Sequence, residues 1–250
     1  MATREKTCAA SSLVGTLVDA AVSGLVEVAR TAASVHYETT DPRTPVLCVC
    51  TPGAVLLPNS ILTDVLPAAG PAQVGAGGFR TGDLSWLPRR WWTPPRPRNL
   101  PPPTHLDTVL GVAASIRLPG VRPLVPSYDG LEPGALLGAG PGLTPAGDDV
   151  LAGALVTGYA TGDPRLTGWR QATVQALAAR STTAVSRAMV HHAMEGYATA
   201  ELAGLLVALC EGRDLEVPLR RLLGVGHTSG GALLIGVVHT LTTHELRGAA

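Results

Sequence analysis

Aromatic and charged side chains are scarce in this chain. Aromatics make up 4% of its 250 residues, with a single phenylalanine, Phe79, so the core has to be filled by Ala, Val and Leu. Charged residues are 15%, below the usual quarter of a soluble domain. Nineteen basic and nineteen acidic residues cancel, which argues against bulk nucleic-acid binding because that requires a standing positive field. Lysine occurs once, as Lys6; the arginine excess, like the load of Ala, Gly and Pro, is what GC-rich coding produces and implies no function by itself. No apolar run reaches the roughly 20 residues of a membrane-spanning helix. The opening residues do not show the charged, apolar and cleavage segments of a secretory signal in order. A cytoplasmic protein is therefore expected, with neither membrane nor nucleic acid as partner. Four cysteines, Cys8, Cys48, Cys50 and Cys210, form no zinc-binding spacing and are expected as reduced core thiols. A hydrophobic fraction of 46% without net charge excludes disorder.

The chain changes character near residue 130. Runs at 24–29, 34–38, 45–51 and 54–57 are short, rich in Val, Leu and Cys, and bounded by turn residues, which predicts strands. Residues 11–21 have helix-compatible spacing. Residues 87–103, LPRRWWTPPRPRNLPPP, hold too much proline for a helix or a central strand and predict an extended loop. Beyond Leu136, apolar periodicity with glycine punctuation predicts helices over 148–159, 167–179, 182–196, 200–211, 214–223 and 229–247, with Thr199 and Asp214 as N-caps and Gly212 and Gly224 at helix ends. The expected fold class is α+β: a β-rich N-terminal domain over 1–130, then an all-helical domain over 131–250 that carries the glycine loops.

Chemistry concentrates in that second part. Gly138-Ala-Gly-Pro-Gly-Leu-Thr-Pro-Ala-Gly-Asp-Asp149 runs directly into an apolar helix. Gly140, Gly142 and Gly147 let bare backbone approach a ligand, Thr144 adds a hydroxyl, and a helix N-terminus behind them favours an anion. Asp148 and Asp149 would repel a naked phosphate, a conflict that Mg²⁺ held between them would resolve. The plainer reading is that Gly147 turns the chain while the aspartates cap and complement the helix dipole. A second glycine loop, Gly226-His-Thr-Ser-Gly230, also feeds a helix; His227, Thr228 and Ser229 could donate to the same anion, or simply cap. Ser181 and Ser186 place hydroxyls at another helix start and one turn on. Convergence of such helix starts on one small phosphate or carboxylate ligand is the arrangement these segments suggest.

Other constellations are weaker. His191 and His192 point about 100° apart on a helix, and His239 and His244 miss the i,i+4 spacing of a zinc pair. Arg89-Arg90-Trp91-Trp92 could stack on a base but fits a packed loop better at zero net charge. Ser229, His227 and Asp149 could be written as a hydrolase triad, yet no G-x-S-x-G elbow supports it.

The stretch 138–153, GAGPGLTPAGDDVLAG, resembles the signature of the AllH family, with Ala146 where a small Ser is usual. Ser181 and Ser186 sit where that family carries a serine-bearing helix, and Gly226-His-Thr-Ser-Gly230 resembles its third motif. Weaker similarity runs through 24–37 and 92–94. The family is named for a subunit of oxamate carbamoyltransferase, which works with FdrA-like companion subunits in purine (allantoin) catabolism. The resemblance implies carbamoyl transfer between oxalurate and phosphate, giving oxamate and carbamoyl phosphate. On that reading Thr144, Ser229 and His227 polarise the carbonyl oxygen, and His227, Asp148 and Asp149 are the catalytic candidates. One departure is Ala232, where the family often has Asp. Two other readings stand beside this one: a Mg²⁺–nucleotide or acyl-phosphate-dependent ligase with another acceptor, and a non-catalytic docking subunit. A homo-oligomer is compatible with all three.

Overall fold

Short apolar runs between turn residues become strands where expected: β2 (Ser23–Arg30), β3 (Ser34–Glu38) and β4 (Val46–Cys50) follow β1 (Arg4–Ser11). The computed structural model describes residues 4–121 and 131–248. The remaining strands are β5 (Ser60–Leu62), β6 (Ala72–Gly75), β7 (Gly78–Thr81) and β8 (Leu84–Trp92). The chain divides into two compact units, Met1–Pro94 and Pro95–Ala250. That division precedes the compositional change near residue 130, a position outside the described residues.

The first unit corrects the expected fold class. Its strands do not form a loose β-rich half: all eight close into a barrel in the order β1-β5-β4-β3-β2-β6-β7-β8. β1 lies parallel to β8 and β4 parallel to β5, while the other neighbours are antiparallel. The step that closes the barrel, β1 on β8, joins the two strands least visible in the sequence. β1 opens with Arg4, Glu5 and Lys6, and β8 contains Pro88, so 87–92 is strand rather than the expected loop. The proline is tolerated because the ladder shifts register there: Cys8 pairs with Pro88 and Ala9 with Arg90, leaving Arg89 as the extra residue of a bulge. Residues 54–57 lie outside any strand, and the helix expected over 11–21 shortens to a 3₁₀ turn at Ser12–Val14 followed by α1 (Gly15–Asp19).

Three of the nine aromatics line the interior of the barrel. Tyr37, Phe79 and Trp86 are fully buried, with ring centroids 5.6 Å apart from Tyr37 to Phe79 and 5.6 Å from Phe79 to Trp86. Val35, Leu47, Val49 and Ile61 fill the space around them. All four cysteines are free and buried.

The second unit is helical: α2 (Leu106–Ser115), α3 (Pro133–Leu136), α4 (Ala146–Thr161), α5 (Leu166–Ala179), α6 (Ala184–Met194), α7 (Ala200–Glu211), α8 (Glu216–Leu223) and α9 (Ser229–Gly248). Helix α4 is buried along nearly its whole length. It can approach α9 at backbone distance because Gly153 faces the Leu233 carbonyl and Gly236 faces the Val150 carbonyl, where any Cβ would overlap the oxygen. Leu151, Leu155, Leu205, Leu206, Leu209 and Leu234 complete an aliphatic core. Thr199 caps α7 by accepting from the Leu202 amide, and Gly212 ends that helix in the left-handed conformation. Asp214 accepts from the Glu216 amide at the start of α8, although Leu215 takes the cap position itself. Among the described residues no helix is long and apolar enough to cross a membrane.

Because Phe79 bridges the other two rings, Phe79→Ala should remove both stacking contacts and open a cavity, costing about 3–5 kcal/mol. Denaturant unfolding followed by Trp fluorescence checks this; a loss below about 1 kcal/mol would mean that the barrel interior collapses around the gap.

Candidate functional site

The glycines of the first loop serve its path. Gly138 has φ +74° and lies against the Ser181 carbonyl, with an added Cβ only 2.5 Å from that oxygen. Gly147 lies in the first turn of α4, where a Cβ would overlap the Leu136 carbonyl oxygen. Gly140 is half-buried and Gly142 is exposed.

Asp148 holds this loop to two other segments. Its Oδ1 accepts from the Gly138 amide at 2.7 Å, and its Oδ2 accepts from the Ser186 hydroxyl at 2.6 Å and from the Thr182 hydroxyl. The carboxylate is buried at 1% exposure. Thr183 reinforces the arrangement: its hydroxyl donates to the Leu143 carbonyl at 2.6 Å and accepts from the Ser186 amide at 3.0 Å, capping α6. Thr182 and Thr183 make these contacts in place of the expected Ser181, which is exposed. A pair of threonines before a helix is a cap signature, so that signal was present.

The second loop meets the first through hydroxyls. Ser229, the first residue of α9, and Thr144 lie 3.0 Å apart, Oγ to Oγ1, across 85 positions of sequence. Gly230 is buried against the Leu222 carbonyl, Gly226 has φ +57°, Thr228 is half-buried and His227 is exposed. Beside the hydroxyl pair stands Asp149, 5% exposed, with a buried Oδ2 that has no hydrogen-bond partner. Burial pushes its pKa up to about 7; the Ser229 hydroxyl opposes the rise, Asp148 adds to it, and the Thr144 hydroxyl opposes it again. Two adjacent aspartates thus have different surroundings: Asp148 accepts three protein hydrogen bonds, while Asp149 Oδ2 accepts none.

The amides at the start of α4 are also largely committed. Gly147 N–H donates to the Ala139 carbonyl at 2.8 Å, and the amides of Asp148 and Asp149 donate to the Pro145 carbonyl at 2.9 and 3.3 Å. These α4 amides are therefore bonded within the protein, whereas Asp149 Oδ2 has no partner. The arrangement does not fit Mg²⁺ gripped by both carboxylates, because Asp148 has spent its oxygens on three donors. Among the described residues no group of three His, Cys, Asp or Glu side chains could hold a metal ion. His192 is buried, and burial drives its pKa down to about 4. The side chain of His244 lies outside the described residues. Arg89, Arg90, Trp91 and Trp92 lie on β8 in the barrel unit.

The second unit is thus defined as a helical domain with two glycine loops joined over a hydroxyl–carboxylate cluster. The family model for oxamate carbamoyltransferase subunit AllH matches residues 136–241, bearing out the resemblance read from the motifs over that span. The barrel lies outside the matched residues. No solved structure matches the chain.

Two outcomes follow for the aspartates. Asp148→Ala strands three donors and should destabilise the second unit by about 3 kcal/mol or more, read from denaturant unfolding. For Asp149 the folded pKa lies above its ordinary 3.8, so folding retains a proton there, and the associated stability is present below that value and lost as pH rises towards about 7. Asp149→Asn should remove this loss: the melting temperature of the variant relative to the unmodified chain should climb between about pH 4 and about pH 7 and then level off. A difference that stays flat with pH would show that Asp149 ionises normally.

Proposed function

We propose that this chain is a carbamoyltransferase subunit of the AllH kind, holding a small carbamoyl-bearing carboxylate or phosphate where its two glycine loops meet. The observation that carries the reading is the 3.0 Å contact between Thr144 and Ser229, which joins two motif segments beside a buried carboxylate and lies within the family-matched residues. Glycine loops that pack on carbonyls leave the ligand facing side chains of fixed position, and such pre-positioning is what transfer chemistry needs.

In the proposed reaction a phosphate oxygen attacks the terminal carbamoyl carbon of oxalurate. The bond from that carbon to the inner nitrogen breaks, the nitrogen takes a proton and leaves as oxamate, and the carbamoyl group departs on phosphate. No nucleophilic side chain is required. The Thr144 and Ser229 hydroxyls serve as donors to the carbonyl oxygen as negative charge builds on it. In this reading His227, exposed just ahead of α9, exchanges a proton with solvent and with the leaving nitrogen. Companion subunits of the FdrA-like kind belong to this reading, as does a cytoplasmic setting in purine catabolism.

The test is thermal stabilisation of the full chain by phosphate, carbamoyl phosphate, oxamate, oxalurate, ADP and ATP, each with and without Mg²⁺. A ligand at 100 times its Kd stabilises by about 2.7 kcal/mol, a shift of several degrees. Oxamate or carbamoyl phosphate should produce it without Mg²⁺, and Thr144→Val or Ser229→Ala should weaken binding about tenfold. A response to nucleotide alone would favour the ligase reading. Silence across the panel, followed by capture of companion subunits on co-expression, would favour the docking reading.

A further inference from the structure

An acceptor buried without a donor is costly, and the cost falls when a ligand supplies the donor. Asp149 Oδ2 is such an acceptor: buried, unpartnered in the protein and adjacent to the Thr144–Ser229 pair. At the first loop the amides of Gly147, Asp148 and Asp149 are already bonded to protein carbonyls, so recognition there falls to side chains.

We infer that Asp149 reads the amino end of the ligand: its buried Oδ2 accepts an N–H from a primary carbamoyl or carboxamide group, while Thr144 and Ser229 face the carbonyl oxygen. The selected class is then –C(=O)NH₂, in preference to an isosteric ketone and to a carboxylate, neither of which offers an N–H to the bare Oδ2. Asp148 cannot take this role, since its three protein donors already surround it. Specificity of this kind rests on the penalty of leaving a buried polar group unpaired when the wrong ligand binds. The inference rests on the site proposed above and adds which group each side chain reads.

Calorimetric titration of the full chain at pH 8.5, where Asp149 is ionised, with oxamate, pyruvate and oxalate tests it, because the three differ chiefly in carrying NH₂, CH₃ or O⁻ on the same two-carbon frame. Oxamate should bind about tenfold or more tightly than pyruvate, with oxalate weakest. Asp149→Leu should bring oxamate and pyruvate within about twofold of one another by weakening oxamate. Thr144→Val should weaken all three alike. Pyruvate equal to oxamate in the unmodified chain overturns the role of Asp149 while leaving the site in place, and so does a well-folded Asp149→Leu that keeps the preference. Oxalate as the tightest ligand overturns it too, because Asp149 would then be donating a proton to an anionic oxygen. Failure of all three to bind removes the proposed site and this inference with it. Should Asp149→Leu not fold, the ranking of the three ligands on the unmodified chain still decides.

Discussion

The second unit depends on one buried carboxylate. Asp148 gathers the amide of Gly138 and the hydroxyls of Thr182 and Ser186, so a single side chain ties the first glycine loop and the start of α4 to the start of α6. A carboxylate can be buried at 1% exposure only when donors of this kind replace its water. The dependence runs both ways: Gly138 has to be glycine to bring its amide past the Ser181 carbonyl, and Thr183 has to cap α6 to hold Ser186 in place. Once those are set, the loop delivers Thr144 to Ser229, and the two glycine loops meet.

Much of the helical unit was legible from its punctuation. Helix α7 spans the residues expected, because Thr199 and Gly212 mark its ends with side-chain and backbone chemistry that acts locally. The strands β2, β3 and β4 were legible for the same local reason. Closure of the barrel was not. It rests on pairing residues 4–11 with 84–92, one strand opening with charge and the other containing proline, and a pairing across eighty positions leaves no periodic trace in either segment. The bulge that accommodates Pro88 is a property of the ladder and not of residues 87–92 by themselves.

The site was legible in its members more than in their roles. Glycine loops feeding helices pointed to Gly138–Asp149 and Gly226–Gly230, and the structure joins those segments. At the start of α4 the loop folds its own carbonyls of Ala139 and Pro145 onto the amides that helix-terminus reasoning offers to an anion. It also treated Asp148 and Asp149 as an equivalent pair. Adjacent residues on a helix point in different directions, so neighbours in sequence can face different environments. Here one faces a ring of donors and the other faces two hydroxyls and the loop junction.

That divergence is the chemical argument for a site. Evolution of a merely structural helix start could place apolar side chains at both positions, or donors around both. Instead the donors are spent on Asp148, and the fold bears the cost of an unpaired oxygen on Asp149 beside a pair of hydroxyls. Carboxyl groups whose environments are pushed apart are the ones that divide scaffold from chemistry. Asp148 supplies rigidity, and rigidity keeps Thr144 and Ser229 within one hydrogen bond of each other. Asp149 supplies the unmet demand, and a ligand that meets it recovers at binding what the fold gave up to keep the oxygen bare.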